Sequence, residues 1–374
     1  MRKFLIRLLI FGAPLLVLLI LPCIVLYNTG ENLNAIDGVL KSRDKYLIGY
    51  AYNEENYRYV QWKSWQLQEE YCPVVALGTS RVLQFRHQMF DVPFRNAGYT
   101  ILGVGDYAPF LQSLPETQLP EYLIVTLDQW MFNANWDDLS VQHTPDHWSH
   151  QFRVKPDVTT LKNVWKDLLS RRYGLFPSTQ DSLKRIGLDA VTNNNGIRRD
   201  GSRQYGRQVM NLMNNPKAAG DYQFSDTYKR IRAGNRLFEY GDTTNLAAIA
   251  KVAEFLSFCK SKNIYVVAFM PPFADAVYER VRSTRRYGYM DGVYERLQPV
   301  FARYGFECYD FSSVSRVGSS DQEMLDGFHG GELTYTRLLI RMLEADSKLN
   351  KVTDVARLRR DIEHPINRYM VYSY

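Results

Sequence analysis

Apolar residues along this chain fall into short continuous runs, separated by stretches in which they recur every three or four positions. Residues 74–77, 121–128, 264–270 and 306–310 are runs of the first kind and read as strands covered on both faces. A shorter strand is predicted inside 91–98, ending at Asn96 and Gly98. Helical spacing follows at about 107–114, 246–259, 293–304 and 332–343. Strand alternating with helix predicts an α/β domain with a five-stranded parallel sheet. Its first strand is expected in the middle, and its sites at the carboxyl ends of the strands.

The rhythm stops between about Ala134 and Tyr240, where a long polar segment contains an evident turn at Asn193-Asn-Asn-Gly196. That length is too great for a plain loop and predicts an insertion with short helices of its own, packed near the strand ends. Residues 29–70 are polar and tyrosine-rich and read as a stalk. Four parts are therefore expected: residues 1–28, the stalk, a domain over 71–345 holding the insertion, and a tail over 346–374. The tail carries a basic cluster at Arg357, Arg359 and Arg360, read as a solvated helix with lipid headgroups as the other reading.

Residues Leu8 to Tyr27 contain no charge, and about 20 apolar residues is the length that crosses a hydrocarbon core. Arg2, Lys3 and Arg7 precede the run, while Glu31 and Asp37 follow it. The positive-inside rule then puts the N-terminus in the cytoplasm and the rest outside the cytoplasmic membrane. No small-x-small cleavage site follows, so a retained anchor is favoured over a cleaved signal peptide.

With 374 residues, 45% of them hydrophobic, the chain can bury a full core. Its formal charge of +6 is spread out and no nucleic-acid motif is present. Abundant tyrosine and phenylalanine fit a polar or sugar-like ligand at least as well as nucleic acid. Cys23 lies in the anchor, leaving Cys72, Cys259 and Cys308 outside without C-x-x-C spacing. That pattern argues against a zinc site or a disulfide framework, and no cofactor is implied. His143, His147 and His150 share a helical face by spacing, but Thr144-Pro145 reads as a helix start that leaves His143 outside, so no metal site is assigned.

The candidate chemistry centres on Val74-Val-Ala-Leu-Gly-Thr-Ser80, where a buried strand turns into a helical run at a serine. A serine there is either a helix N-cap or a nucleophile presented beside free backbone N–H groups. Far down the chain, Asp326-Gly-Phe-His329 sets a carboxylate and an imidazole three apart, the residue types that orient a base and activate a serine. His87 lies about 10 Å from Ser80 on a continuous helix, too far to be that base.

Gly78-Thr79-Ser80 resembles the nucleophile block of the SGNH (GDSL-like) hydrolase superfamily, and Asp326-Gly-Phe-His329 resembles its closing block. The resemblance implies a flavodoxin-like three-layer fold and a Ser80, His329, Asp326 triad, with Gly98 as a backbone oxyanion donor. The family's G-x-N-D pattern is missing after the third strand, where Gln129-Trp-Met-Phe-Asn133 stands instead. Asn133 or Gln129 is then the substitute donor, or the site uses only two. Arg81 either holds an anionic group or lies on the solvent side of its helix.

Together with the anchor, the resemblance extends to the accessory proteins of teichoic acid D-alanylation and alginate O-acetylation. It implies an acyl-enzyme loaded from a polytopic membrane-bound O-acyltransferase and discharged onto a surface glycan. An esterase with the same triad and a non-catalytic anchored scaffold are the alternatives.

Overall fold

The computed structural model describes residues 1–31, 36–68, 70–136, 138–141, 143, 157–179 and 181–374. Nine strands occur among them: β1 (Tyr46–Ile48), β2 (Val74–Leu77), β3 (Phe94–Ala97), β4 (Tyr122–Thr126), β5 (Lys184–Ile186), β6 (Asn195–Arg198), β7 (Arg203–Tyr205), β8 (Tyr265–Met270) and β9 (Glu307–Asp310). The chain forms two compact units. The smaller is built from residues 1–57, 150–199 and 203–207, and the larger from 58–149, 200–202 and 208–374.

The larger unit is organised by a five-stranded sheet in the order β3-β2-β4-β8-β9, with every neighbouring pair parallel. All four residues of β2 are buried, as are Leu123 to Thr126 of β4 and Val266 to Met270 of β8. Continuous burial is why these strands read as unbroken apolar runs. Helices Leu246–Ser261, Val293–Tyr304 and Glu332–Glu344 contribute Val252, Phe255, Leu297, Phe301, Leu338 and Leu339 to the same core. The Asn245 side chain caps the first of them by accepting the Ala247 N–H, and Gly305, at φ 72°, ends the second just before β9. Cys259 is buried in this core and Cys308 packs against it.

Two sequence expectations change here. The strand before Ser80 is interior but second from an edge, and β4 takes the middle, because β3 folds back onto the outer side of β2. The segment 134–240 does not stay in one body: residues 150–199 and 203–207 belong to the smaller unit, whereas 208–240 belong to the larger one. There Ile231 and Phe238 join the core.

The smaller unit contains a mixed sheet in the order β5-β1-β6-β7, in which only β1 and β5 run parallel. Residues 29–70 are thus not a stalk. They supply β1, whose three residues are all buried, and the helix Asn56–Leu67. The stalk reading failed because β1 is only three residues long and the buried face of the helix carries Asn56, Gln61 and Ser64 among its apolar residues, which hides the apolar period.

Helix Arg2–Thr29 is long and apolar enough, over Phe11–Thr29, to cross a membrane. Gly30, at φ 72°, terminates it. The Glu31 carboxylate then accepts N–H groups from Ala51 (2.9 Å), Tyr52 (3.1 Å) and Leu188 (2.7 Å), so one buried acid ties the helix end to two other segments.

Because Ile124 is wholly buried in the middle strand, Ile124→Ala should cost about 2–5 kcal/mol through lost contacts and a residual cavity. Urea unfolding of the detergent-solubilised protein measures this, and a loss under about 1 kcal/mol would contradict the central position of β4.

Candidate active site

Strand β2 delivers the chain to Gly78, where a Cβ would stand 2.3 Å from the Thr126 Oγ1 of β4; only glycine allows that approach. Thr79 follows as the cap of a single 3-10 turn over Ser80–Val82, its Oγ1 accepting the Arg81 N–H at 3.1 Å. The capping role considered for Ser80 is therefore filled by Thr79. The run after Ser80 does not continue as the predicted helix. The Asn96 side chain, projecting from β3, donates to the carbonyls of Val82 (2.7 Å) and Phe85 (3.0 Å) and holds the irregular path.

The Ser80 hydroxyl lies 2.8 Å from His329 Nε2. On the other side of the ring, Nδ1 is 2.8 Å from Asp326 Oδ2 and 3.0 Å from Oδ1. Asp326 Oδ1 also accepts the backbone N–H groups of Phe328 (3.0 Å) and His329 (2.8 Å). Burial by itself would raise the Asp326 carboxyl, but His329 and these hydrogen bonds together hold it below the usual carboxylate range. The stability this adds is present above the ordinary aspartate range and is lost as pH falls through the depressed value. Both side chains keep some access to solvent, 17% for His329 and 19% for Asp326.

The loop that carries them is supported from residues 208–238. Asp221 Oδ2 accepts the Gly327 N–H at 3.0 Å, and Gln208 Nε2 donates to the Leu325 carbonyl at 3.3 Å. Thr227 leaves no room for a Cβ on Gly327. The Phe328 ring sits edge-on to Trp130 and Phe238 at 6.1 and 6.0 Å.

The other residues expected in the site are engaged elsewhere. Arg81 is neither solvent-facing nor open to a ligand, since its side chain has no exposure and pairs with Asp128 at 3.2 Å. It donates further to Gln129 Oε1 (2.9 Å) and the Pro272 carbonyl (2.6 Å), and its guanidinium lies 4.7 Å from the Phe273 ring centre. Gln129 Nε2 donates to the Pro271 carbonyl (2.8 Å) and to Ser312 Oγ (3.1 Å). Asn133 Nδ2 donates to the Glu239 carbonyl (2.7 Å) and its Oδ1 accepts the Asn135 N–H (3.0 Å). The Gly98 N–H is taken by Asn96 Oδ1 at 2.9 Å.

His87 pairs with Asp200 at 3.0 Å and His143 with Asp106 at 3.3 Å, while His147 and His150 lie outside the described residues.

Sequence reading missed Asp128, which also accepts from Thr79 Oγ1 at 2.8 Å. An acid directly after an unbroken apolar strand was the available signal. Asp221 offered none, because it acts through a loop hydrogen bond distant in the chain.

No family model matches the chain, and no curated protein matches it either.

A serine hydroxyl bonded to an imidazole whose second nitrogen faces an ionised carboxylate is an arrangement able to lose its proton as it attacks an acyl carbon. Beneath it, Arg81→Ala should cost about 3–5 kcal/mol by stranding Asp128 without its cation. The double change Arg81→Met with Asp128→Leu should recover most of that in the same denaturant titration, and equal losses in both would show that the pair is not what matters.

Proposed function

We propose that the larger unit is an SGNH-like O-acyltransferase domain, held at a membrane by helix Arg2–Thr29 and acting on a surface glycan through an acyl-enzyme on Ser80. The observation that carries this reading is the continuous hydrogen-bonded chain Ser80 Oγ, His329, Asp326. The strand order supports the flavodoxin-like, three-layer part of the proposal, since counted along the chain it runs 2-1-3-4-5. Ser80 follows the first of those strands and Asp128 the third, the pair between which such sheets form their crevice.

In the proposed cycle Ser80 Oγ attacks the acyl carbonyl carbon while His329 Nε2 takes the hydroxyl proton. Asp326 stabilises the resulting imidazolium. Collapse of the tetrahedral intermediate expels the donor oxygen with that proton and leaves an ester on Ser80. A glycan hydroxyl then gives its proton to His329 and attacks the ester, and the proton returns to Ser80 as the product leaves. With the donors of Gly98, Gln129 and Asn133 engaged elsewhere, oxyanion stabilisation falls to the backbone at the Gly78 to Ser80 turn. Ser80 is proposed to be loaded from a polytopic membrane-bound O-acyltransferase, because acyl thioesters are cytoplasmic while this domain is read as lying outside. Water in place of the glycan hydroxyl would make the same site an esterase.

Ser80→Ala should abolish labelling by a serine-directed fluorophosphonate and leave the thermal melt nearly unchanged. Persistent labelling, or a large drop in melting temperature with labelling retained, would remove Ser80 as the nucleophile. Release of acetate from acetylated glycan in the absence of an acceptor would select the esterase.

For the orientation, an alkaline phosphatase fused after Tyr374 should be active in cells. A signal from a cytoplasmic reporter at that position would end the surface-glycan reading.

A further inference from the structure

We propose that helix Val158–Leu169, together with Phe176, lies in the headgroup layer of the bilayer that helix Arg2–Thr29 crosses, and that the hydrocarbon boundary meets the crossing helix near Leu21. This rests on the membrane-anchored reading of that helix and is independent of the chemistry at Ser80.

The crossing helix changes character along its length. From Ala13 to Ile20 every residue is exposed, with Leu15 to Ile20 each between 44% and 61%. A helix apolar and exposed all the way round needs an apolar solvent. Beyond Leu21 it is half-buried in the smaller unit: Val25 and Leu26 have no exposure and pack with Val164 and Leu188. The last two turns therefore belong to the folded unit rather than to lipid. Phe4 to Ile20 still rises about 25 Å at ~1.5 Å per residue, within the span of the shorter crossing helices, with Arg7 one turn inside it and long enough to reach back to the headgroups.

Helix Val158–Leu169 joins the crossing helix at that boundary. Pro22 has no N–H, so the Leu18 carbonyl four residues earlier lacks its helical donor. The Trp165 indole N–H fills the gap at 2.7 Å. In contact with lipid an unpaired carbonyl would be costly, and tryptophan is the residue favoured at the interface.

On the open side, Val158, Leu169 and Phe176 are 82%, 76% and 71% exposed. An apolar groove of about 560 Å³ runs between Phe176 and Leu19, Ile20, Cys23, Ile24 and Tyr27. Lys162, Lys166 and Arg171 are exposed close by, and Arg172 pairs with Asp167 at 3.0 Å. Apolar side chains interleaved with cations suit a headgroup layer containing anionic lipid. Hydropathy alone would carry the span on to Thr29. That would draw these cations toward the hydrocarbon, at about 2.5–3.5 kcal/mol for each one carried to its centre. A boundary near Leu21 leaves them among the phosphates.

The test uses the full chain with Cys23→Ser and one new cysteine, at Leu169, Phe176 or Phe11, each carrying an environment-sensitive fluorophore. The protein is reconstituted into phosphatidylcholine and phosphatidylglycerol vesicles whose acyl chains are brominated near the headgroup. Probes at 169 and 176 should shift to the blue, be quenched by the brominated lipid more strongly than the probe at 11, which lies near the middle of the crossing span, and resist aqueous iodide. Probes at 169 and 176 quenched by iodide alone, with 11 shielded, would overturn the proposal and leave the anchor standing. Failure of the protein to float with the vesicles would overturn both. Trp165→Phe adds a readout that does not depend on labels: loss of the indole donor should deepen or tilt the crossing helix and change quenching at Phe11, and an unchanged profile there and at 169 would count against the boundary.

Discussion

The geometry around Ser80 depends on one buried ion pair. Asp128 stands just beyond the end of the middle strand and takes both the Thr79 hydroxyl and the Arg81 guanidinium, so the residues on either side of Ser80 are pinned to a strand two positions from the edge. Both charges lose their water on burial, which is costly unless each meets the other with good geometry and the remaining donors are used. Here they are used, on Gln129 and the Pro272 carbonyl. The polar layer thus links the ends of three strands and leaves the Ser80 hydroxyl as the group that points outward to His329.

The second support comes from the far side of the loop. Asp326 and His329 are close in sequence and organise each other, but their position opposite Ser80 is set by Asp221, Thr227 and the aromatic contacts of Phe328. Residues 208–238 therefore act as a brace for the site, and a role in substrate contact is not needed to explain why they are there. In the smaller unit a comparable economy operates around Pro22 and Glu31. The proline frees a carbonyl that Trp165 takes up, and the acid gathers three backbone N–H groups where the apolar N-terminal helix ends.

The apolar runs 74–77, 121–128, 264–270 and 306–310, inside which four of the strands lie, were legible in the sequence, as were the long helices and the apolar N-terminal segment. Each rests on a local period or on unbroken apolarity, and burial on both faces leaves such a mark. The pairing of Ser80 with Asp326 and His329 could also be posed, because the residue types that such chemistry requires are few and stood at strand ends. What sequence could not hold was which donors were free. Gly98, Gln129, Asn133 and Arg81 all have suitable chemistry, yet Gln129, Asn133 and Arg81 spend it on neighbours distant in the chain, and Gly98 on the Asn96 side chain two residues before it. The middle place of β4, the division of 134–240 between two units and the folding of 29–70 were likewise decided by tertiary structure. Hydrogen-bond partners and strand order depend on contacts between remote segments, and those leave no period in the residues themselves.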